Sequence, residues 1–216
     1  MDKMKYRAIV FDLDGVICHT DQYHYQAWKQ IADRMNIYFD ETINHRLRGV
    51  SRMDSLNIIL EGYVGEPLSL EEKEKLASEK NEIYKSLLLM MSPKDLSKEV
   101  KETLNYLRSL GLKFAIGSSS KNARLILKQI GMEDYFDAIS DGNNIEHSKP
   151  HPEVFLKAAG FLKEKPSDCL VVEDAKAGIE AACAGGMDSA GIGDAADYNK
   201  ATYHLHNFKD LISIFQ

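Results

Sequence analysis

The sequence predicts an α/β protein: a doubly wound parallel sheet carrying an all-helical cap inserted after its first strand. Three observations lead there. From about residue 91 onward, short apolar runs alternate with helical patterns of ten or so residues, as in parallel sheets covered on both faces. The first apolar run, residues 6–11, is cut off from the others by a long stretch with no convincing strand. The length, 216 residues, suits one large domain or one domain with a smaller insertion. We therefore expect a core made of residues 1–16 and 91–216 and a helical cap over 17–90.

The first strand is followed by DQYHYQAWKQIADRM, where Tyr23, Ala27, Ile31 and Met35 recur on one helical face. A second helix is expected near RMDSLNIILEGY, capped by Ser51. A third spans LSLEEKEKLASEKNEIYKSLLLMM, with a capping signal at Ser69, until MSPKDL interrupts it. The alternation then begins. Helix SKEVKETLNYLRSLG stops at Gly111, and strand LKFAIG follows. Helix KNARLILKQIG, strand FDAIS, helix PEVFLKAAGFLK and strand DCLVVE come next. Helix AKAGIEAACAGG, strand MDSAGIG and a last helix near FKDLISIF close the chain.

Composition narrows the functional classes. The chain is 44% apolar and 28% charged, with a net charge of −6, so it is globular and lacks the basic footprint of a nucleic-acid binder. The N-terminal residues lack the apolar core of a signal peptide, and no apolar run reaches transmembrane length. Cys18, Cys169 and Cys183 have no metal or redox spacing. A cytoplasmic location is expected, with no membrane or nucleic-acid partner and a monomeric state.

In open α/β sheets, ligands bind outside the carboxyl ends of the strands. There the sequence places Asp12 and Asp14 after the first strand and Ser118, Ser119, Ser120, Lys121 and Asn122 after the second. Lys149 follows the third, and Glu173 and Asp174 follow the fourth. Each has a plain alternative. DLDG could be a turn, SSSKNA an N-cap, Lys149 a solvated lysine, and Glu173–Asp174 the acidic first turn of a helix. Their joint occurrence at successive strand ends is what those alternatives do not explain.

This ordered set resembles the four motifs of the haloacid dehalogenase (HAD) superfamily of phosphotransferases, whose core is Rossmann-like. FDLDG stands as the first motif, Ser118 the second, Lys149 the third and Glu173–Asp174 the fourth. The resemblance implies that Asp12 is the nucleophile, since a carboxylate can hold a phosphoryl group as an acyl phosphate. Asp14, two residues on, is implied to be the general acid and base. Mg²⁺ is the implied cofactor, with Asp12, the Asp14 carbonyl and Asp174 as ligands and Glu173 holding metal-bound water. Ser118 and Lys149 would bind the transferring phosphoryl oxygens.

The acceptor must be chosen elsewhere. His24 and Trp28 sit four residues apart at the start of the cap, and LRGVSRMDS places Arg48 and Arg52 around Gly49 and Ser51. A partly buried histidine on a tryptophan and an ordinary helix start are the plain alternatives. With SSSKN, these features suit a sugar carrying two phosphates. In detail the chain is similar to the mutase family that interconverts β-glucose 1-phosphate and glucose 6-phosphate through β-glucose 1,6-bisphosphate. By that resemblance Arg52, Ser120, Lys121 and Asn122 hold the non-transferring phosphate, and Arg48, Gly49, Val50 and Ser55 line the sugar side of the cap. Lys80 partners His24, and His24 with Thr20 would keep Asp14 disengaged until the cap closes, so that the phosphoenzyme survives water. Arg48 replaces an expected lysine and Ser119 an expected alanine. A sugar-phosphate phosphatase is the alternative, and a phospho-accepting signalling domain the more distant one.

Overall fold

A computed structural model describes residues 4–47 and 50–216. Six strands form one parallel sheet: β1 (Ala8–Phe11), β2 (Lys113–Gly117), β3 (Ala138–Ser140), β4 (Cys169–Glu173), β5 (Asp188–Gly191) and β6 (Tyr203–His204). Their order is β3-β2-β1-β4-β5-β6. The chain builds outward from β1 to β3, then returns to lay β4 on the other side of β1. Val10 thus pairs with both Ala115 and Val171. This reversal puts the crevice of the sheet at the carboxyl ends of β1 and β4.

Alternation along the strands sorts the two faces. Ala8, Val10, Ala115, Cys169 and Val171 pack beneath α7 (Glu153–Leu162) and α8 (Lys176–Ala184). On the opposite face Phe11 meets Phe114, Phe136 and Phe208 with ring centroids 5.4, 6.2 and 6.0 Å away. There α5 (Lys98–Ser109) buries Val100, Thr103, Leu104 and Leu107 at helical spacing and packs on the C-terminal segment. That segment, Phe208–Phe215, is the helix expected near FKDLISIF and is of the 3₁₀ type. Its buried residues, Phe208 and Leu211, are three apart, so the tighter turn keeps both on one side. β6 was not anticipated; two residues beside β5 leave no periodicity to read.

The chain divides into two compact units, residues 1–19 with 92–216, and residues 20–91. Ile17, Cys18 and His19, assigned above to the insertion, belong to the α/β unit. The amides of Ile17 and Cys18 both bond back to Leu13 O, at 3.0 and 3.2 Å, which ties them to the turn after β1. Met91 falls on the helical side of the division.

The helical unit contains α1 (Asp21–Arg34), α2 (Glu41–His45), α3 (Arg52–Ile59) and α4 (Leu70–Leu88). Ser51 caps α3 through the amide of Asp54, and Ser69 with Glu72 forms a capping box on α4. The buried stripe of α1 is Ala27, Trp28, Ile31 and Ala32, turned slightly from the predicted face, so Tyr23 and Met35 are only half-buried. Trp28, Ile31, Leu56, Ile59 and Ala77 share one core. Among the described residues no helix is long and apolar enough to cross a membrane.

Candidate active site

β1 delivers the first acid. The Asp12 amide bonds to Val172 O at 2.9 Å, extending the ladder by one residue and leaving the side chain buried at the crevice. Two residues later Asp14 is half-buried, in a turn closed by a Gly15 N–H bond to Cys18 O at 2.7 Å. Gly15 is required twice over. Its φ is +86°, and a Cβ there would lie 2.1 Å from Asp174 Oδ2.

Lys149 reaches into the same place. Its Nζ lies 2.5 Å from Asp12 Oδ1 and 2.7 Å from Glu173 Oε2, with all three side chains buried. The Phe155 ring lies beneath it, 4.7 Å from Nζ, and Gly117 leaves room for that ring. Glu173 Oε1 accepts the Ala175 amide at 3.1 Å, so α8 begins against this carboxylate. Gly178 is the cost of that fit: a Cβ would stand 2.0 Å from Glu173 Cδ.

After β2, the Ser118 amide bonds to Ser140 O, and Ser118 Oγ accepts the Ser120 amide at 3.2 Å. Ser120 Oγ in turn accepts the Asn122 amide at 3.1 Å. α6 (Ala123–Gln129) starts at once, yet the Asn122 side chain makes no capping bond. The serines therefore build the loop ahead of the helix. Ser119 Oγ is buried with no hydrogen-bond partner among the described residues, and Lys121 is exposed.

The helical unit holds its own polar cluster. Lys80 on α4 is 2% exposed, with Nζ 2.7 Å from His24 Nδ1 and over the rings of Trp28 and Tyr84 at 4.9 and 4.6 Å. His24 stacks on Tyr84, centroids 4.0 Å apart, and Tyr84 donates to Thr20 Oγ1 at 2.9 Å. Burial first, then the charges of Lys80 and Arg52, hold the imidazole well below its ordinary 6.5. It is neutral, and Nδ1 can accept from the ammonium. Trp28 is thus reached through Lys80, while the ring against His24 is Tyr84, a residue the sequence reading did not single out. Arg52 donates to the neutral Asn81 at 2.9 Å, Ser55 is buried on α3, and Val50 is exposed. Arg48 and Gly49 lie outside the described residues.

Comparison with known proteins matches this arrangement. The family model "haloacid dehalogenase-like hydrolase" fits residues 6–186. The chain belongs to the haloacid dehalogenase-like hydrolase family. It is 40% identical to a β-phosphoglucomutase of Bacillus subtilis (strain 168), over 95% of this chain and 91% of that one. It is 31% identical to the fructose-1-phosphate phosphatase YqaB of Escherichia coli (strain K12), covering 87% and 97%. A crystal structure of β-phosphoglucomutase from Clostridium difficile superposes with a TM-score of 0.88 at 39% identity, covering 95% and 93%.

The electrostatics of this HAD-family site call for a cation. Ligand oxygens of Asp12, Glu173 and Asp174 lie within 4.8 Å of one another. Burial, reinforced by the charges of Glu173, Asp12 and Asp14, pushes the Asp174 carboxyl up to about 9. Burial raises Glu173 to about 7 against the pull of Lys149. Burial also works against the Lys149 ammonium, but the charges of Asp12 and Glu173 outweigh it and hold its pKa above the ordinary value. One lysine leaves the acids under-neutralised, and a set of hard oxygens so placed fits a small divalent cation. Gly15 stands in the FDLDG motif, whereas Gly178 and Phe155 were missed by the sequence reading; the signal for Gly178 was a glycine inside the helical pattern AKAGIEA.

Proposed function

We propose that the chain is a Mg²⁺-dependent β-phosphoglucomutase, interconverting β-glucose 1-phosphate and glucose 6-phosphate through an aspartyl-phosphate enzyme and β-glucose 1,6-bisphosphate. The observation that carries the chemistry is Lys149 Nζ, 2.5 Å from Asp12 Oδ1 within a buried group of acids. The near full-length likeness to two β-phosphoglucomutases supports the substrate.

In the first half-reaction an Asp12 oxygen attacks phosphorus of the bisphosphate, and the phosphorus–oxygen bond to the sugar breaks. Asp14 gives the departing sugar oxygen its proton. In the second half β-glucose 1-phosphate replaces the departed glucose 6-phosphate on the phosphoenzyme and presents its 6-hydroxyl. Asp14 removes the proton of that hydroxyl, the oxygen attacks the aspartyl phosphate, and Asp12 is regenerated as a carboxylate. Transfer thus regenerates the bisphosphate, which turns end for end for the next cycle. Lys149 and the Ser118 hydroxyl bind the phosphoryl oxygens throughout. Mg²⁺, held by Asp12, the Asp14 carbonyl and Asp174 with Glu173 behind a bound water, would offset the charge that phosphate brings to these acids. Ser120, Lys121 and Asn122 bind the phosphate that is not transferred. Arg52, half-buried and donating to the neutral Asn81 side chain, is the helical unit's candidate phosphate ligand.

A sugar-phosphate phosphatase is the second reading, favoured by the 31% identity to a fructose-1-phosphate phosphatase. Phosphorus NMR separates the two. With Mg²⁺, β-glucose 1-phosphate and a trace of glucose 1,6-bisphosphate, a mutase yields glucose 6-phosphate with almost no free phosphate. Stoichiometric inorganic phosphate would establish the phosphatase and remove the mutase reading.

A further inference from the structure

The loop after β2 is held from outside by a turn that no motif assigns. At the end of β3, Asp141 is 2% exposed, and its Oδ1 accepts the Asn143 amide at 2.9 Å. Asn144 Oδ1 accepts the Asp141 amide at 3.3 Å and the Ser140 hydroxyl at 3.1 Å. The turn is thereby closed on itself. Two bonds then cross from it to the β2 loop. The Gly142 amide donates to Ser120 O at 3.1 Å, and Asn143 Nδ2 donates to Lys121 O at 2.9 Å.

The approach is as close as backbone allows. A Cβ on Gly142 would lie 2.4 Å from Ser119 O and 2.9 Å from Lys121 N. Arg124, one residue into α6, has its Nε 3.7 Å from Asp141 Oδ2. The turn therefore grips the loop along its backbone and reaches the helix that the loop feeds. None of this touches Asp12, Lys149 or Glu173.

We infer that the Asp141–Gly142–Asn143 turn positions the Ser120–Lys121 segment, and through it sets affinity for the substrate's second, non-transferring phosphate. This rests on the function proposed above. A donor with only one phosphate, such as acetyl phosphate, needs Asp12, Lys149 and Ser118 but not that segment. Substrate size thus becomes the readout: the turn should matter for a sugar phosphate and be indifferent for acetyl phosphate.

The test uses Asn143→Ala, an exposed side chain whose loss spares the fold, together with Gly142→Ala, which drives a methyl into the loop. The KM for β-glucose 1-phosphate should rise roughly fivefold in Asn143→Ala, as expected for one lost hydrogen bond. The rise should be larger in Gly142→Ala. The kcat/KM for acetyl phosphate hydrolysis should stay within twofold of wild type in Asn143→Ala. Equal losses on both donors would make the turn merely structural, and no loss on either would deny it a role; each overturns the inference. Wild-type protein tested alongside keeps the two readings apart. If it releases phosphate from sugar phosphates and makes no glucose 6-phosphate, the mutase reading fails. The same ratio, measured on a hydrolysed sugar bisphosphate, which still carries a second phosphate, then decides the role of the turn.

Discussion

Replacing Lys149 with methionine keeps an unbranched apolar side chain and removes the ammonium that lies over Phe155 and between two carboxylates. The structure fixes what is lost. Two carboxylate oxygens lie 2.5 and 2.7 Å from Nζ, and at an effective dielectric near 20 each contact is worth about 6 kcal/mol before solvation is counted. Desolvation of three buried ions cancels much of that, and breaking a buried pair typically costs about 3–5 kcal/mol. Here Glu173 already titrates near 7. It can take up a proton once the ammonium is gone, which places the loss near the low end, about 3 kcal/mol at neutral pH. The sign with pH follows. Lys149 lowers the Glu173 pKa, so removing it raises a folded value that already exceeds the ordinary 4.5. A carboxyl raised in the folded state stabilises at low pH and loses that contribution as pH rises through its folded pKa. The gap between Lys149→Met and wild type should therefore be small at pH 5 and widest above pH 8, in urea unfolding with chelator present. Turnover should fall at least about 10³-fold, as for loss of an electrostatic contact to the transition state. A variant as stable as wild type at pH 8, or within tenfold of its kcat, would refute this account of the site.

Gly178→Ala sets helix propensity against sterics. Alanine alone should stabilise a helix interior by up to about 1 kcal/mol, but a Cβ 2.0 Å from Glu173 Cδ should cost about 1–3 kcal/mol. We expect a lower melting temperature and at least a roughly tenfold loss of turnover; a stabilised, fully active variant would show that Glu173 can move freely. His24 is held neutral in the fold, so unfolded chains bind more protons as pH falls below 6.5, and stability should fall with them. His24→Gln should flatten urea midpoints between pH 7 and pH 5, and an unchanged slope would count against a buried neutral imidazole. Chelation of divalent cations should abolish phosphoryl transfer. Because Asp174 is raised to about 9, Mg²⁺ binding at pH 7 should release about one proton, read by calorimetry in buffers of different ionisation enthalpy.

The parts legible from sequence are those in which a residue type and a local pattern coincide. β1 reads as a strand because residues 6–11 form an apolar run, and Ala8 to Phe11 are all buried; DLDG reads as a site once it is set beside the polar residues at the other strand ends. Helix starts at Ser51 and Ser69 were legible because capping is decided within four residues. What escaped depends on partners distant in sequence. Glu173 looked like a water-holding acid after β4; its bond to Lys149, 24 residues away, depends on the fold. Gly178 passed unremarked inside the helix AKAGIEAACAGG, because nothing local announces a carboxylate lying across it. Tyr84 drew no reading from sequence, although its ring carries His24 and its hydroxyl binds Thr20. The same distinction separates the chemistry from its control. Acids, lysine and serine at strand ends each admit a plain alternative, and it is their ordered set along the sequence that points to phosphoryl transfer. On the proposed function, control falls to glycines that permit close approach and to turns such as Asp141–Asn143 that hold a neighbouring loop. On that function, a chain can keep every motif residue and still differ in which phosphate ester it turns over, the motif residues binding the phosphoryl group being transferred while the supporting glycines and turns set what else fits beside it.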